Sequence, residues 1–196
     1  EITIGDWSSD VCSSDLKRDM KWRTIKSDYI IRRPWLTARR DTVELPDGTV
    51  NDEYYVLEYP DWINVIAITA EGMFVLVRQY RHGIGQTCHE IVAGVMEQGE
   101  QPEAAARREL MEETGFGGGT WRETMVVSPN ASTVTNVTHC FVATGVERIG
   151  SQHLDPTEDI EVCLVSREEM RRMLEQGEIK QALMAAPLWR YFAENP

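Results

Sequence analysis

Most of the chain shows the hydrophobic patterns of β-strands, namely short apolar runs or alternating apolar and polar residues. Residues 37–59, TARRDTVELPDGTVNDEYYVLEY, alternate and contain PDG, a turn signal between two strands. Residues 62–81, WINVIAITAEGMFVLVRQYR, form two apolar runs joined at AEG and predict a second hairpin with more deeply buried strands. CHEIVAGVME, at residues 88–97, predicts one short strand that ends at a glycine.

Three segments have the features of helices. The first begins near Pro102, where proline is favoured in the first helical turn, and ends at Gly115. REEMRRMLEQGE follows Ser166, a favourable N-cap, and IKQALMAAPLWRYFAE predicts a closing amphipathic helix. Further strands are predicted at WRETMVVSP, NVTHCFVATGV and IEVCLVS, a flexible loop at GFGGGT and a polar loop at PNASTVTN. Strands interleaved with few helices predict an α/β fold, in which helices cover the faces of a mixed sheet.

The composition of the chain indicates which binding partners and which cellular compartment to expect. A hydrophobic fraction of 42% over 196 residues is enough for a sizeable core, and a net charge of −12 argues against a nucleic-acid partner. No apolar run reaches the roughly 18 residues of a transmembrane helix, so no membrane partner is expected. Cys88, Cys140 and Cys163 are scattered without a CxxC pair, which is typical of reduced thiols in a cytoplasmic protein.

The first residues are interpreted separately from the folded chain. GDWSSDVCSSDL contains a near-repeat, SSDV and then SSDL, and has no hydrophobic periodicity. Residues 6–16 look like a translated sequencing-adapter oligonucleotide, and we interpret residues 1–16 as such an artefact. The alternative interpretation is a disordered natural tail.

The first predicted helix has an acidic face that local stability does not favour. Glu109, Glu112 and Glu113 are three and four residues apart, so they are neighbours on one face and their like charges repel. Negative charge near the C-terminus of a helix also opposes the macrodipole. Carboxylates at these spacings supply the oxygen ligands that a hard divalent cation such as Mg²⁺ prefers. The face therefore indicates a functional site that binds metal.

The helix lies within GVMEQGEQPEAAARRELMEETGF, residues 94–116, which resembles the signature of the Nudix hydrolase superfamily at every specified position. The resemblance implies a Nudix-type α/β/α sandwich with a mixed β-sheet and a small additional N-terminal β-region. It also implies Mg²⁺, or alternatively Mn²⁺, as the cofactor. The metal ligands would be Glu109, Glu112, Glu113 and the carbonyl of Ala93, and Glu112 and Glu113 would be catalytic.

The same resemblance gives the neighbouring residues of the motif a structural role. Arg108 and Glu100 are expected to form an ion pair that orients the preceding loop against the helix.

Over residues 22–193 the chain resembles the ADP-ribose pyrophosphatase branch of this superfamily. The matching stretches are VLVRQYRHG, HEIVAGVMEQGE, SPNAS and LDPTEDIEV. The resemblance implies that Arg81 and Glu90 bind substrate and that Glu158, on a late loop before a strand, is a catalytic base. The alternatives are a solvated charge at a strand end for Arg81 and a solvated loop charge for Glu158. Pro129 corresponds to a proline that tracks with ADP-ribose use, at an offset about one residue shorter than usual.

Residues 17–60 are predicted to form the N-terminal β-region and residues 61–196 the Nudix catalytic domain. In this branch the N-terminal region helps to form a homodimer and supplies aromatic groups that stack on the base. The RRPWL segment offers Trp35 for stacking, with Arg33 or Arg39 nearby for phosphate. Packing of Trp35 inside the protein is the alternative.

The implied function is Mg²⁺-dependent hydrolysis of a nucleoside diphosphate-linked sugar, with ADP-ribose cleaved to AMP and ribose 5-phosphate. GDP-mannose or another nucleotide sugar is the alternative substrate. A catalytically silent Nudix domain that only binds a nucleotide is the alternative of another class, and the intact acidic motif argues against it. The SQPWPFPxS motif expected of NADH diphosphatases does not follow the helix, which argues against cleavage of NADH.

Overall fold

A computed structural model describes residues 19–196, so the interpretation of residues 1–16 concerns a segment outside the described residues. Within the described part, no helix has the length and apolar character needed to cross a membrane. The strands are β1 Arg23–Arg33, β2 Leu36–Glu44, β3 Val50–Glu58, β4 Trp62–Thr69, β5 Phe74–Arg81, β6 Gln86–Glu90, β7 Val92–Val95, β8 Phe116–Val127, β9 Thr138–Arg148 and β10 Ile160–Val165. The helices are α1 Pro102–Thr114, α2 Arg167–Glu175 and α3 Ala182–Glu194.

The chain divides into two compact units between Leu57 and Glu58. The first unit contains a three-stranded sheet in the order β1-β2-β3, and β1 and β2 are antiparallel. The predicted PDG turn joins β2 to β3 and is closed by a hydrogen bond from the Leu45 N–H to the Thr49 carbonyl, at 2.8 Å. Trp35 lies in the turn between β1 and β2 and is 83% exposed, so it is not part of a packed core.

The second unit is built around a seven-stranded sheet with the order β10-β5-β4-β9-β8, in which β6 pairs with β5 and β7 with β4. β4 and β9 run parallel, whereas β4 and β5 are antiparallel, so the sheet is mixed as predicted. Alternate residues of β4 point to opposite faces. Val65 belongs to the core beneath α1, and Ile66 belongs to the core beneath α2 and α3. These layers confirm the predicted α/β/α sandwich.

The sheet splits in its middle, where β4 and β5 separate from each other. β4 and β5 are paired only at Ala67–Val75 and Ile68–Phe74, close to their shared turn. Farther from the turn, β4 pairs with β7 and β5 pairs with β6. The prediction of one strand at CHEIVAGVME is therefore wrong, because the segment forms two strands that are separated at Ile91 and pair with different neighbours.

The predicted loop at GFGGGT is also a strand, since β8 begins at Phe116. Gly118 and Gly119 have positive φ angles of 71° and 72°, as does Gly145 of the partner strand, with 71°. Gly119 and Gly145 are skipped in the pairing register of β8 with β9, which continues on both sides of them. Glycine tolerates this irregular pairing because it has no Cβ, so cross-strand pairing overrides the local loop propensity.

The helix boundaries follow the capping residues closely. α1 ends as predicted at Gly115, whose φ of 73° is left-handed and whose N–H donates to the Met111 carbonyl. Ser166 is the N-cap of α2 as predicted, because its side chain accepts a hydrogen bond from the Glu169 N–H at 3.2 Å. α3 begins at Ala182, after the start of the predicted helical segment at residue 179.

We expect Ser166→Ala to lower the free energy of unfolding by about 1 kcal/mol, because the first turn of α2 would lose the acceptor for one backbone N–H. Chemical denaturation measures this change. Ser27→Ala is a control at an exposed position of β1. Equal stability of Ser166→Ala and the wild-type protein would contradict the capping role.

Candidate active site

Arg108 organises the acidic face of α1. Its Nε and Nη2 donate to the two carboxylate oxygens of Glu100, both at 3.0 Å, and its Nη2 also donates to the Val95 carbonyl at 3.0 Å. Its Nη1 donates to Glu109 at 2.8 Å and to Glu112 at 2.9 Å. The predicted Arg108–Glu100 pair is therefore confirmed, and the hydrogen bond from Arg108 lowers the pKa of Glu100. One guanidinium joins the loop before α1 to two carboxylates of the helix.

Glu113 is the member of the acidic face that Arg108 does not contact. Glu113 is only 5% exposed, and its Oε2 atom is buried without a hydrogen-bond partner. Burial raises the pKa of Glu113 to about 8, helped by the negative charges of Glu109 and Glu158 and opposed by a backbone hydrogen bond from Ala93. Burial also raises the pKa of Glu109, although Arg108 acts in the opposite direction. Arg108 therefore compensates for the negative charge of Glu109 by a hydrogen bond, whereas among the residues that the structure describes no guanidinium donates to Glu113.

The donor set fits a hard divalent cation. The carboxylates of Glu109, Glu112 and Glu113 and the Ala93 carbonyl are all oxygen donors, which Mg²⁺ and Mn²⁺ prefer. The unpaired Glu113 oxygen is a buried acceptor for which a cation would compensate. Within residues 19–196, no three acidic, histidine or cysteine side chains are already gathered at metal-ligand spacing. Binding one ion through all three glutamates therefore requires their side chains to rotate.

Gly94 allows the sheet edge to approach this helix closely. A Cβ added at Gly94 would overlap the Cγ, Cδ and Oε1 atoms of Glu109. Gly94 lies in β7 and pairs with Ile63 of β4, so its backbone position is fixed by the sheet. The Glu109 carboxylate can therefore occupy its position only because residue 94 is a glycine.

A cavity of about 620 Å³ occupies the split in the sheet, beside the backbone of Ala93 and Gly94. Arg81 and Glu90 both line it, as expected of substrate-binding residues. The Arg81 Nε donates to both oxygens of Glu90, at 3.0 and 3.1 Å, and these hydrogen bonds raise the pKa of Arg81. Glu90 is 2% exposed, whereas the Arg81 side chain is 42% exposed. A buried carboxylate thus holds a guanidinium that remains accessible.

The cavity also has polar lining residues that the sequence analysis missed. The Asn64 Oδ1, Thr138 Oγ1 and Gln181 Oε1 atoms are buried and have no hydrogen-bond partner. The Asn64 Nδ2 donates to the Leu183 carbonyl at 2.8 Å, which joins β4 to the start of α3. A polar residue inside the apolar run INVIAIT was the available signal for Asn64, because buried polar groups require a partner.

Glu158 lies, as expected, on the loop before β10 and is exposed. Its Oε2 accepts a hydrogen bond from the Asp155 N–H at 2.9 Å. The loop that carries it is hydrogen-bonded to α1, because the His153 N–H donates to the Glu112 carbonyl at 2.8 Å. The negative charge of Glu158 contributes to the raised pKa values of Glu109 and Glu113.

The N-terminal candidates belong to the first unit. The Arg39 Nε donates to both oxygens of Asp41, at 3.0 and 3.1 Å, and Asp41 is buried. This pair gives Arg39 a structural partner within its own sheet. Roles of Trp35 in base stacking and of Arg39 in phosphate binding stay predictions.

Two family models match the chain in succession. A model described as a nucleoside diphosphate sugar hydrolase N-terminal domain matches residues 22–57, and one described as the NUDIX domain matches residues 59–186. The chain belongs to the Nudix family. The Nudix match contains α1 with all three glutamates, the cavity strands β4–β7 and the Glu158 loop.

Several proteins of known name and one solved structure are also similar to this chain. The ADP-ribose pyrophosphatase of Bacillus subtilis (strain 168) is 29% identical over 169 residues, 86% of this chain and 91% of the relative. The methanol dehydrogenase activator of Bacillus methanolicus is 31% identical over 160 residues, 80% of this chain and 85% of the relative. The ADP-sugar pyrophosphatase of Mus musculus is 44% identical over 112 residues, 55% of this chain and 48% of the relative. A crystal structure of an ADP compounds hydrolase, 22% identical, superimposes with a TM-score of 0.76 over 89% of this chain and 95% of that chain, which supports the fold.

We expect Gly94→Ala to weaken binding of Mg²⁺ or Mn²⁺ by about 10-fold or more, because the new methyl group would displace the Glu109 carboxylate. The fold should be kept, since the overlapping atoms belong to the end of a flexible side chain. Titration calorimetry with Mn²⁺ measures the affinity. Gly83→Ala is the matched control, because nothing lies within 4 Å of a Cβ added there. Equal metal affinity of the two variants would contradict the role of Gly94.

We expect the metal-free protein to lose stability as the pH rises from about 4.5 to about 8, since the folded-state pKa of Glu113 is raised from 4.5 to about 8. Over this range the folded protein holds a proton that the unfolded chain has released, so the free energy of unfolding falls, by an amount on the order of a few kcal/mol. Glu113→Gln should remove this part of the pH dependence.

Chemical denaturation in EDTA, at about pH 5 and about pH 9, tests the assignment. Glu103→Gln, at an exposed position of the same helix, is the control. An equal fall for Glu113→Gln and the wild-type protein would assign the pH dependence to other groups.

Proposed function

We propose that this Nudix protein hydrolyses the diphosphate bond of a nucleoside diphosphate-linked sugar and that its substrate is ADP-ribose. Water attacks one phosphorus, the bond from that phosphorus to the bridging oxygen breaks, and AMP and ribose 5-phosphate leave. The relatives named as pyrophosphatases of ADP-ribose or ADP-sugars support this choice of substrate.

The observation that carries the proposal is the buried, unpaired carboxylate oxygen of Glu113. It lies on the acidic face of α1, and the backbone of Ala93 connects it to the wall of the cavity. The cavity volume of about 620 Å³ is within the range of roughly 300–1,000 Å³ that is usual for small-molecule sites. A negatively charged diphosphate could approach three carboxylates only if cations compensate for the repulsion.

We assign metal binding to Glu109, Glu112, Glu113 and the Ala93 carbonyl, and catalysis to Glu112, Glu113 and Glu158. Bound Mg²⁺, or Mn²⁺ in its place, would neutralise charge on the phosphate oxygens and lower the pKa of a coordinated water. Glu158 is assigned as the general base that accepts the proton of the attacking water.

Substrate binding is assigned to Arg81 and Glu90 in the cavity, because a guanidinium held by a buried carboxylate is a rigid donor for phosphate oxygens. Trp35 is assigned to base stacking and Arg39 to a phosphate contact, on the strength of the family resemblance. The same resemblance leads us to propose that the protein acts as a homodimer in the cytoplasm.

We expect AMP to appear fastest from ADP-ribose when the protein and Mg²⁺ are incubated with ADP-ribose, GDP-mannose, NADH or a dinucleoside polyphosphate. Glu113→Gln should lower kcat for ADP-ribose by about 100-fold or more, because it removes a charged oxygen ligand from the metal site. Product analysis by chromatography measures both results. Glu103→Gln is the matched control on the same helix and should keep wild-type turnover.

Each other outcome would change one part of the assignment. Cleavage of GDP-mannose but not ADP-ribose would keep the metal chemistry and replace the substrate. Undiminished turnover in Glu113→Gln would contradict the metal-site assignment. Nucleotide binding without cleavage of any of the four compounds, with Mg²⁺ or Mn²⁺, would favour the silent binding domain.

A further inference from the structure

The last turn of α1 is fixed by the loop that leads to Glu158. The His153 N–H donates to the carbonyl of Glu112 at 2.8 Å, and the Ile149 N–H donates to the carbonyl of Gly115 at 2.9 Å. Carbonyl groups in the last turn of a helix have no partner within the helix, so they accept from outside. The end of the metal-site helix and the beginning of this loop are therefore one hydrogen-bonded unit.

Gln152 adds a second connection, which spans the whole loop. Its Nε2 donates to the carbonyl of Glu113 at 2.7 Å and to the carbonyl of Ile160 at 3.1 Å. Glu113 lies in the last turn of α1, and Ile160 is the first residue of β10. A single amide group thus ties the helix that carries the metal-site acids to the strand that follows the loop.

Glu158 lies between these two anchor points. A turn holds it locally, because its N–H donates to the Asp155 carbonyl and the Asp155 N–H donates to its Oε2, both at 2.9 Å. Residues 155–159 are exposed, so packing gives them little support. The position of the Glu158 carboxylate relative to α1 therefore depends on the anchored ends of the loop.

We propose that Gln152 is a positioning residue, which fixes residues 153–159 against α1 and so holds Glu158 at a constant place beside the acidic face. The proposal rests on the catalytic role proposed above for Glu158. The Gln152 side chain donates to backbone carbonyls and does not line the cavity. Its effect is on rate, since misplacing a catalytic group by about 1 Å can lower a rate about 100-fold.

Gln152→Met tests the proposal, because methionine has a similar length but cannot donate to either carbonyl. We expect kcat for ADP-ribose to fall about 10-fold or more, with KM changed less than about twofold, because substrate contacts are left in place. In a Glu158→Gln background the same substitution should lower kcat by less than about twofold, because the group that it positions is already lost. Gln152→Glu, which keeps the shape but places an oxygen against a carbonyl, should act like Gln152→Met.

Gln176→Met is the matched control, since the Gln176 amide accepts a hydrogen bond from Arg172 at the end of α2, outside the site. Hydrogen exchange measured by mass spectrometry gives a readout that does not depend on turnover. In Gln152→Met the amides of His153 and Glu158 should exchange faster, whereas those in the middle of α1 should not change.

Equal losses of kcat in the wild-type and Glu158→Gln backgrounds would overturn the proposal, and so would a change confined to KM. Unchanged exchange in the loop would overturn it independently of any activity. If the wild-type protein does not cleave ADP-ribose, the proposed function fails, and the exchange experiment still decides whether Gln152 fixes the loop.

Discussion

The acidic face of α1 depends on the guanidinium of Arg108. Three glutamates on one helix face repel each other, and two of them lie in the last turn, where the helix dipole adds to the cost. Arg108 compensates for two of the three by direct hydrogen bonds and anchors the preceding loop through Glu100. Because the guanidinium is planar and has five N–H donors, one residue can serve three carboxylates and the Val95 carbonyl.

In this arrangement Glu113 is the carboxylate of the acidic face that has a buried oxygen without a hydrogen-bond partner. Glu113 is 5% exposed, and its neighbour Glu109 lies against the edge of β7, where Gly94 has no side chain to obstruct it. The separation of β4 from β5 opens the cavity beside that edge. Helix and cavity therefore meet because the sheet is incomplete at this point, and a fully paired sheet would have filled the space.

The helix ends and the fold class could be predicted from the sequence, whereas the pairing partners of individual strands could not. Pro102, Gly115 and Ser166 act within a few residues, so they indicated helix ends that the structure confirms. The prediction of a loop at GFGGGT failed because pairing with β9, a distant segment, overrides glycine propensity. The split of the sheet at Ile91 likewise depends on which neighbour each strand meets.

Some residues of the candidate site could likewise be predicted from the sequence, and others could not. A motif of fixed spacing indicated the glutamates of α1, whereas Thr138 and Gln152 look like ordinary polar residues until the fold places them. The structure also shows which carboxylates the arginines contact, and the spacing of the motif does not reveal these partners. The hydrogen bonds of Arg81 go to Glu90 and those of Arg108 go to Glu100, Glu109 and Glu112, so neither guanidinium donates to Glu113 in the described part of the chain. A proton neutralises Glu113 up to a pH of about 8, and under the function proposed above a divalent cation would take the place of that proton.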